Sequence, residues 1–329
     1  MYIPSHVQIE TVNRLCNARC PMCTIRFKPE FGDDAYTDLS YDNTVRPAGF
    51  MSLEKFKLIV EKLQPHVESI KYFTLHGCGE PLMDPTICEK IAYLKSCGFR
   101  GVGFSTNCHL LTEKMSNRLL DAGIDTLICS IDGFSARAVE TIRPRLKRDK
   151  IYTNVERFLE LRDERDAKSR VLIRFIEQMD NYLEFDEYFA HWDARVSSRK
   201  NDEIVKFPIH NCGGKVEDFE NKVVPGTGSS LFSDDYAKSD GFLCPDLFER
   251  LIVFANGRIG LCSSDQDEYF DIGNALFSDP VELFNSDVFE RYRAEWLKGR
   301  WRELDHCRTC SITQSRNAKQ TVSTAALAS

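Results

Sequence analysis

The strongest constraint on the fold is an alternation of short apolar runs with amphipathic stretches through the first half of this 329-residue chain. The apolar runs have the length of strands, and the stretches between them have helical periodicity. Repeated strand–helix units of this kind build a parallel sheet. The predicted strands are residues 7–12, 70–75, 101–105, 126–131 and 171–175, and the predicted helices are residues 53–63, 85–96, 113–122, 155–163 and 183–192.

Five or six such units form a barrel or part of one, and in this architecture the chemistry collects at the C-terminal ends of the strands. The repeat is lost near residue 211, where the Gly and Ser content rises, so a domain boundary is predicted there. The sequence therefore predicts an α/β fold, a partial (β/α)6 TIM-like barrel over residues 1–210. A small hairpin-plus-helix domain over residues 211–315, with its helix at 281–298, and a flexible tail over 316–329 complete the prediction.

Three cysteines follow the first predicted strand in the segment CNARCPMC, namely Cys16, Cys20 and Cys23. Their spacings of four and three residues let three sulfurs converge on one small inorganic core. Three thiolates on a four-iron cluster leave one iron without a protein ligand. A zinc site normally requires four ligands, and the nearest downstream histidine is His66, so the local sequence favours an iron–sulfur cluster.

With this motif in this position, the chain resembles the radical S-adenosylmethionine (SAM) superfamily. In that family the open iron chelates the amino and carboxylate groups of SAM, and one electron cleaves a carbon–sulfur bond to give a 5'-deoxyadenosyl radical. The segment HGCGEP after the second predicted strand resembles the GGEP motif of the family, with Cys78 in place of the first glycine. The resemblance implies that Gly79, Glu80 and Pro81 contact SAM.

Further elements resemble the family in their order along the chain. Ser105 and Asn107 lie in STN, which is similar to the ribose-contacting element, and Ser130 and Asp132 lie in SIDG after the next strand. Arg143 in TIRP resembles the arginine that many relatives use on the SAM carboxylate. Each has a structural alternative, because asparagine and aspartate also suit turns and helix caps and the arginine also suits a surface ion pair.

A second group of four cysteines lies beyond the predicted barrel, at Cys244, Cys262, Cys307 and Cys310. The first two flank the predicted hairpin LIVFANGRIGLC, whose Asn-Gly pair is a strong turn signal. Four sulfurs complete either a tetrahedral zinc site or a fully ligated four-iron cluster, and spacing alone does not choose between them. The region resembles the SPASM/twitch extension of radical SAM enzymes, in particular the twitch dehydrogenases of aminocyclitol antibiotic biosynthesis. This resemblance implies one auxiliary cluster.

The other cysteines match neither group, and most are expected to be buried packing residues. Cys212, at the predicted domain junction, is also a candidate donor of a hydrogen atom to a substrate radical, which would make the enzyme an epimerase. His76 and His210 are candidate bases near the active face, although a lone histidine is more often structural. Geometry has to decide, because a base must reach the proton that it removes.

Composition excludes several classes of partner. The formal net charge is −7 and the chain has no basic tract, so nucleic acid is not an expected partner. No apolar run approaches the roughly 20 residues that span a bilayer, and the N-terminus lacks a signal sequence, so we expect a cytoplasmic protein without membrane contact. In a reducing compartment the 13 cysteines argue for metal binding rather than for disulfides.

Taken with the resemblance, the sequence predicts an iron–sulfur oxidoreductase or related radical enzyme with SAM, two 4Fe-4S clusters and an external electron donor such as flavodoxin or ferredoxin. The expected substrate is a sugar-, cyclitol- or nucleoside-like metabolite of specialised metabolism, which would be dehydrogenated, epimerised or decarboxylated. A small molecule is favoured because the chain starts a few residues before its first predicted strand, without room for a leader-peptide domain. The alternatives are a maturase of ribosomal peptides and a zinc-stabilised, non-catalytic binding protein.

Overall fold

A computed structural model describes residues 1–24, 46–225 and 243–310. Ten strands are present in these residues: β1 (His6–Ile9), β2 (Val12–Asn13), β3 (Gly49–Phe50), β4 (Tyr72–Thr74), β5 (Val102–Thr106), β6 (Thr126–Ser130), β7 (Arg170–Glu177), β8 (Glu203–Pro208), β9 (Arg250–Val253) and β10 (Ile259–Gly260). Eight of them form one sheet in the order β10-β9-β1-β4-β5-β6-β7-β8, and β2 pairs with β3.

The described helices mostly follow the strands of the main sheet. They are α1 (Leu53–Leu63), α2 (Ile87–Ser96), α3 (Glu113–Asp121), α4 (Ala136–Ile142), α5 (Arg148–Glu164), α6 (Phe185–Asp193), α7 (Phe219–Lys222), α8 (Pro245–Phe248), α9 (Pro280–Leu283) and α10 (Asp287–Leu297). Side-chain caps fix several of their starts: Ser52 accepts a hydrogen bond from the N–H of Lys55, and Thr112 accepts one from the N–H of Met115.

The six strands β1 and β4 to β8 are mutually parallel neighbours, which confirms the predicted partial (β/α)6 barrel. One face of each strand packs under the helices, where large apolar side chains such as Phe73, Phe104 and Phe175 are completely buried. The other face lines the barrel interior. This alternation, apolar toward the helices and more polar toward the interior, leaves room for a site inside the barrel.

Most predicted elements are present with shifted ends, and several short ones were missed. The prediction for residues 53–63 matches α1, whereas β3, α4, β8, α7 and α8 were not predicted. The single helix predicted over residues 281–298 is wrong, because Ser286 has an extended backbone with ψ of 163° and starts a new helix, so α9 and α10 are separate.

The predicted C-terminal hairpin is confirmed and has an additional role in the sheet. Strand β9 pairs antiparallel with β10 and also parallel with β1, with Val7 opposite Leu251. The C-terminal region is therefore joined to the barrel by backbone hydrogen bonds. Within the described ranges, every helix is too short or too polar to span a membrane. Most of the segment 28–49 and the tail 316–329 lie outside the described residues.

Candidate functional site

The N-terminal cysteines lie on the loop that follows β2. The N–H of Cys23 donates to the carbonyl of Cys20 at 3.0 Å, which closes a turn between these two ligands. Burial raises the pKa of the Cys16 thiol, and the nearby Glu80, Cys20 and Cys23 raise it further. Burial also raises the pKa of Cys20 to about 12, with Arg143 acting in the opposite direction.

Nitrogen donors from three different segments point at these sulfurs. The Ala18 N–H lies 3.4 Å and the Asn107 Nδ2 3.9 Å from the Cys16 Sγ, and Nη1 of Arg143 lies 3.8 Å from the Cys20 Sγ. Hydrogen bonds to sulfur are one of the means by which proteins hold and tune iron–sulfur clusters. No three His, Cys, Asp or Glu side chains in the described ranges come close enough to hold a single metal ion. Three thiols with nitrogen donors directed at their sulfurs are the kind of donor set that holds an iron–sulfur cluster.

Glu80 connects two of the sequence motifs. Its Oε1 accepts hydrogen bonds from Thr106 Oγ1 at 2.6 Å and from the Leu82 N–H at 3.1 Å, and its Oε2 accepts from the Asn107 N–H at 2.9 Å. Burial raises the pKa of Glu80, whereas these hydrogen bonds lower it. The carboxylate thus holds Asn107 beside the cysteine loop, and its predicted contact with SAM stays a prediction.

The residues on either side of Glu80 explain why this motif is so compact. A side chain on Gly79 would place its Cβ 2.5 Å from the carbonyl oxygen of Val12, so only glycine fits against β2. Pro81 then starts a single 3-10 turn, Pro81–Met83, which Glu80 caps. The N–H of Glu80 donates to the carbonyl of Leu15, directly before the first cysteine. The motif is thereby packed along the segment that leads to the cysteine loop.

Asp132 and Arg143 form a buried ion pair beside the same loop. Nη2 of Arg143 lies 2.5 Å from Oδ2 of Asp132, and the other carboxylate oxygen accepts from the Ile176 N–H at 2.8 Å. The surface alternative for Arg143 is therefore wrong. Asp132 has a positive φ of 58°, a strained conformation for this residue type that is typical of functional sites.

Ser105 and Ser130 meet inside the barrel, with their hydroxyl oxygens 2.9 Å apart. Nη2 of Arg174 donates to both hydroxyls, at 2.9 Å to Ser105 and in close contact with Ser130. Arg174 was not among the predicted site residues. Its signal in the sequence was an arginine within the apolar strand RVLIRFIE, on the face that alternation assigns to the barrel interior.

The four C-terminal cysteines line one cavity of about 170 Å³. Leu247, Leu261 and Trp296 contribute apolar wall. Burial raises the pKa of Cys307 to about 12, and the nearby Trp296 side chain acts in the opposite direction. His306 also lines this cavity, and its Nε2 is buried without a hydrogen-bond partner. Four thiols around one cavity suit a fully ligated cluster.

The candidate base and hydrogen donor lie after β8, between the two cysteine sites. Nδ1 of His210 is 3.2 Å from the Cys212 Sγ, and Nδ2 of the intervening Asn211 donates to the carbonyl of Thr309 at 2.7 Å. His76 faces the barrel interior, where its Nδ1 accepts from the Ser105 N–H at 3.3 Å. Burial, together with nearby arginine charges, lowers the pKa of His76 to about 3, so its imidazole is neutral near pH 7.

Two family models match this chain. The model described as the radical SAM superfamily matches residues 11–176, and the model described as the SPASM iron–sulfur cluster-binding domain matches residues 244–311. A curated relative, the tungsten-containing aldehyde ferredoxin oxidoreductase cofactor-modifying protein of Pyrococcus furiosus, is 30% identical over 127 residues. That match covers 39% of this chain and 30% of the relative.

Solved structures share the fold over almost the whole chain. BtrN in complex with AdoMet and 2-DOIA is 16% identical, with a TM-score of 0.57 and coverage of 94% of this chain and 93% of BtrN. Streptococcus suis SuiB bound to the precursor peptide SuiA is 12% identical, with a TM-score of 0.61 and coverage of 95% of this chain and 71% of SuiB. At these identities the likeness concerns the fold alone.

Proposed function

Because this chain belongs to the radical SAM superfamily, we propose that it abstracts a hydrogen atom from a small polar metabolite and oxidises it. The chain is an iron–sulfur enzyme that uses SAM, and its SPASM domain implies further iron–sulfur chemistry. The alternative of a non-catalytic zinc protein is therefore wrong. When bound, the N-terminal cluster supplies the electron that cleaves SAM, and we assign Cys16, Cys20 and Cys23 as its ligands.

The closed cysteine set at the C-terminus is the observation that carries the proposal. Cys244, Cys262, Cys307 and Cys310 surround one cavity, so four thiolates are available to a single four-iron cluster and leave it no open iron. A cluster without an open iron suits electron transfer better than substrate ligation. We assign it as the acceptor of the second electron, in a region that we place at residues 211–315.

With these two cysteine sites and a base, every hydrogen atom, proton and electron of a dehydrogenation is accounted for. The carbon that bears the substrate hydroxyl would lose a hydrogen atom to the radical that SAM supplies, a base would take the hydroxyl proton, and the group held by the four C-terminal cysteines would accept one electron, which leaves a ketone. His210 is the base that we favour, because Asn211 ties this segment to the loop between Cys307 and Cys310. An external donor such as flavodoxin or ferredoxin would reduce the N-terminal cluster, in the cytoplasm.

A second outcome, epimerisation, is supported by one contact. The Cys212 thiol lies 3.2 Å from His210, so a hydrogen atom given by the sulfur to the substrate carbon could invert that carbon. The thiyl radical left on Cys212 would then return to the thiol by taking one electron from the C-terminal site, supplied in turn by the external donor, and one proton from His210. Peptide maturation remains the other candidate, because BtrN was solved in complex with AdoMet and 2-DOIA, whereas SuiB was solved with a precursor peptide bound.

The test is an anaerobic assay of the reconstituted enzyme with SAM and dithionite against a panel of sugars, aminocyclitols and nucleosides in deuterium oxide. We expect substrate-dependent 5'-deoxyadenosine and a product that has lost two hydrogens and has gained no carbon-bound deuterium. One deuterium in a product of otherwise unchanged composition would identify epimerisation instead. Cys212→Ser should abolish only that second outcome, and Cys97→Ser is the matched control. Turnover of peptides alone would contradict the proposal.

A further inference from the structure

The interior face of β7 carries a charged side chain at its middle. Along this strand, Val171, Ile173 and Phe175 are completely buried under the helices, whereas the residues between them are only partly buried. Because side chains alternate along a strand, Arg174 extends into the barrel interior. Its guanidinium therefore lies on the face that encloses the candidate site.

The contacts of Arg174 are hydroxyl groups rather than a carboxylate. Nη2 donates to Ser105 and Ser130, and Nε is buried without a hydrogen-bond partner. The nearby Asp132 is already engaged, because one of its carboxylate oxygens pairs with Arg143 and the other accepts from the backbone. In the part of the chain that the structure describes, Arg174 makes no ion pair.

Two other arginines in the described ranges are buried and paired with carboxylates. Arg162 pairs with both carboxylate oxygens of Asp202, at 2.7 and 2.8 Å, and Arg46 pairs with Glu10. Arg293 makes no ion pair in the described ranges, but its guanidinium carbon lies over three aromatic rings, with centroid distances of 4.4, 4.4 and 4.9 Å. Arg174 has neither kind of partner, and a partly buried cation without a counter-charge is unfavourable.

The charges around Arg174 are of both signs. Burial lowers the pKa of Arg174, the nearby Asp132 raises it, and Arg143 lowers it. His76 is neutral near pH 7, since burial and the arginine charges lower its pKa to about 3. An anion entering the barrel would meet one unpaired guanidinium and two hydroxyl groups that can turn toward it.

We propose that Arg174, Ser105 and Ser130 form a receptor for an oxyanion of the substrate, so the metabolite that this enzyme processes carries a carboxylate or a phosphate group. The inference rests on the proposed function and narrows its substrate class from neutral sugars to acidic ones. SAM also carries a carboxylate that such a receptor could bind, and the test distinguishes an oxyanion of the substrate from the carboxylate of SAM. We assign the SAM carboxylate to Arg143, which lies against the cysteine loop.

The test measures thermal unfolding of the anaerobically reconstituted, SAM-saturated enzyme in sodium phosphate, with sodium chloride at equal ionic strength as reference. Phosphate should raise the unfolding midpoint of the wild type by about 2–4 °C at saturation. Phosphate should not raise the unfolding midpoint of Arg174→Met. In chloride, Arg174→Met should unfold at a higher temperature than the wild type, because the substitution removes the uncompensated charge. Arg100→Met, which removes an exposed arginine, is the matched control and should respond like the wild type.

Two results would overturn the inference. If phosphate stabilises Arg174→Met as much as the wild type, the anion binds elsewhere. If Arg174→Met loses about tenfold or more in SAM affinity by equilibrium dialysis, equivalent to about 1.4 kcal/mol, the receptor serves the cofactor. If Arg174→Met forms 5'-deoxyadenosine in the absence of substrate at the wild-type rate, the proposed function stands in either case. If the wild type forms no 5'-deoxyadenosine, the proposed function itself is wrong.

Discussion

The two cysteine sites of this chain are assembled in opposite ways. Three cysteines of the N-terminal site lie on one loop, and the N–H donors to their sulfurs come from Ala18, Asn107 and Arg143. The C-terminal site gathers four cysteines from three segments of the chain around one cavity of about 170 Å³. The first site is local and is completed by the barrel, whereas the second exists only after the chain has folded.

This difference corresponds to a difference in chemistry. A loop with three thiolates leaves one iron of a four-iron cluster without a protein ligand, and we propose that the motif residues packed around this loop contact SAM. A cavity with four thiolates provides a ligand for every iron of a four-iron cluster, so the reduction potential of the cluster depends on the residues that line the cavity. The comparison predicts that damage to the first site stops all chemistry, whereas damage to the second stops only the later electron transfer.

The largest effect is expected from Cys20→Ala. With one of three ligands missing, the N-terminal cluster is lost, iron falls from about eight to about four per chain, and 5'-deoxyadenosine formation drops to the level without enzyme. Iron analysis and chromatography of the anaerobic reaction measure both quantities. Cys97→Ala, which changes a cysteine at the end of α2, is the control. A Cys20→Ala protein that still cleaves SAM would disprove our assignment of this ligand.

Cys310→Ala should separate the two sites. Iron again falls to about four per chain, but slow cleavage of SAM without product persists because the N-terminal loop is intact. The unfolding temperature should also fall, since metal binding contributes to folding and β9 joins this region to β1. Product formation by this variant at the wild-type rate would show that the C-terminal site is not the electron acceptor.

The smallest effect is expected from Trp296→Phe. The variant keeps an aromatic side chain in the cavity wall but removes the indole N–H near Cys307, and an N–H directed at a cluster sulfur stabilises the reduced cluster. A hydrogen bond of about 1 kcal/mol corresponds to a fall of about 40 mV in the midpoint potential of a one-electron couple. Redox titration followed by electron paramagnetic resonance measures it, and the signal of the N-terminal cluster in the same sample is the control. Equal shifts in both signals would indicate a general change in structure.

Local sequence patterns were sufficient to predict most of the helices and strands of the barrel. The helix predicted over residues 53–63 has the bounds of α1, because its apolar face is periodic and Ser52 is a strong N-cap. Strand β8, EIVKFP, was missed because it lacks a clear alternation and follows a polar turn. The break between α9 and α10 was also missed, since Ser286 is compatible with a helix in sequence and becomes a cap only through its backbone conformation.

The site was predictable to the extent that its motifs are contiguous. Asn107 and Arg143 were identified from short segments, and the structure brings both to the cysteine loop. Arg174 was not identified, because an arginine in a strand usually lies at the surface. Whether it faces solvent or the barrel interior depends on the register of β7 against β6, in which Arg174 lies opposite Ser130.

The sequence by itself determined the α/β class, the N-terminal cysteine loop and the family, because strand–helix periodicity and a three-cysteine motif are local properties of the chain. Only the tertiary structure decided that β9 continues the barrel sheet, that Arg143 is buried against Asp132, and that Arg174 reaches two serines. The physical reason is that these contacts join residues far apart in sequence. Their positions depend on strand order, register and burial, which arise only when the sheet closes around its interior.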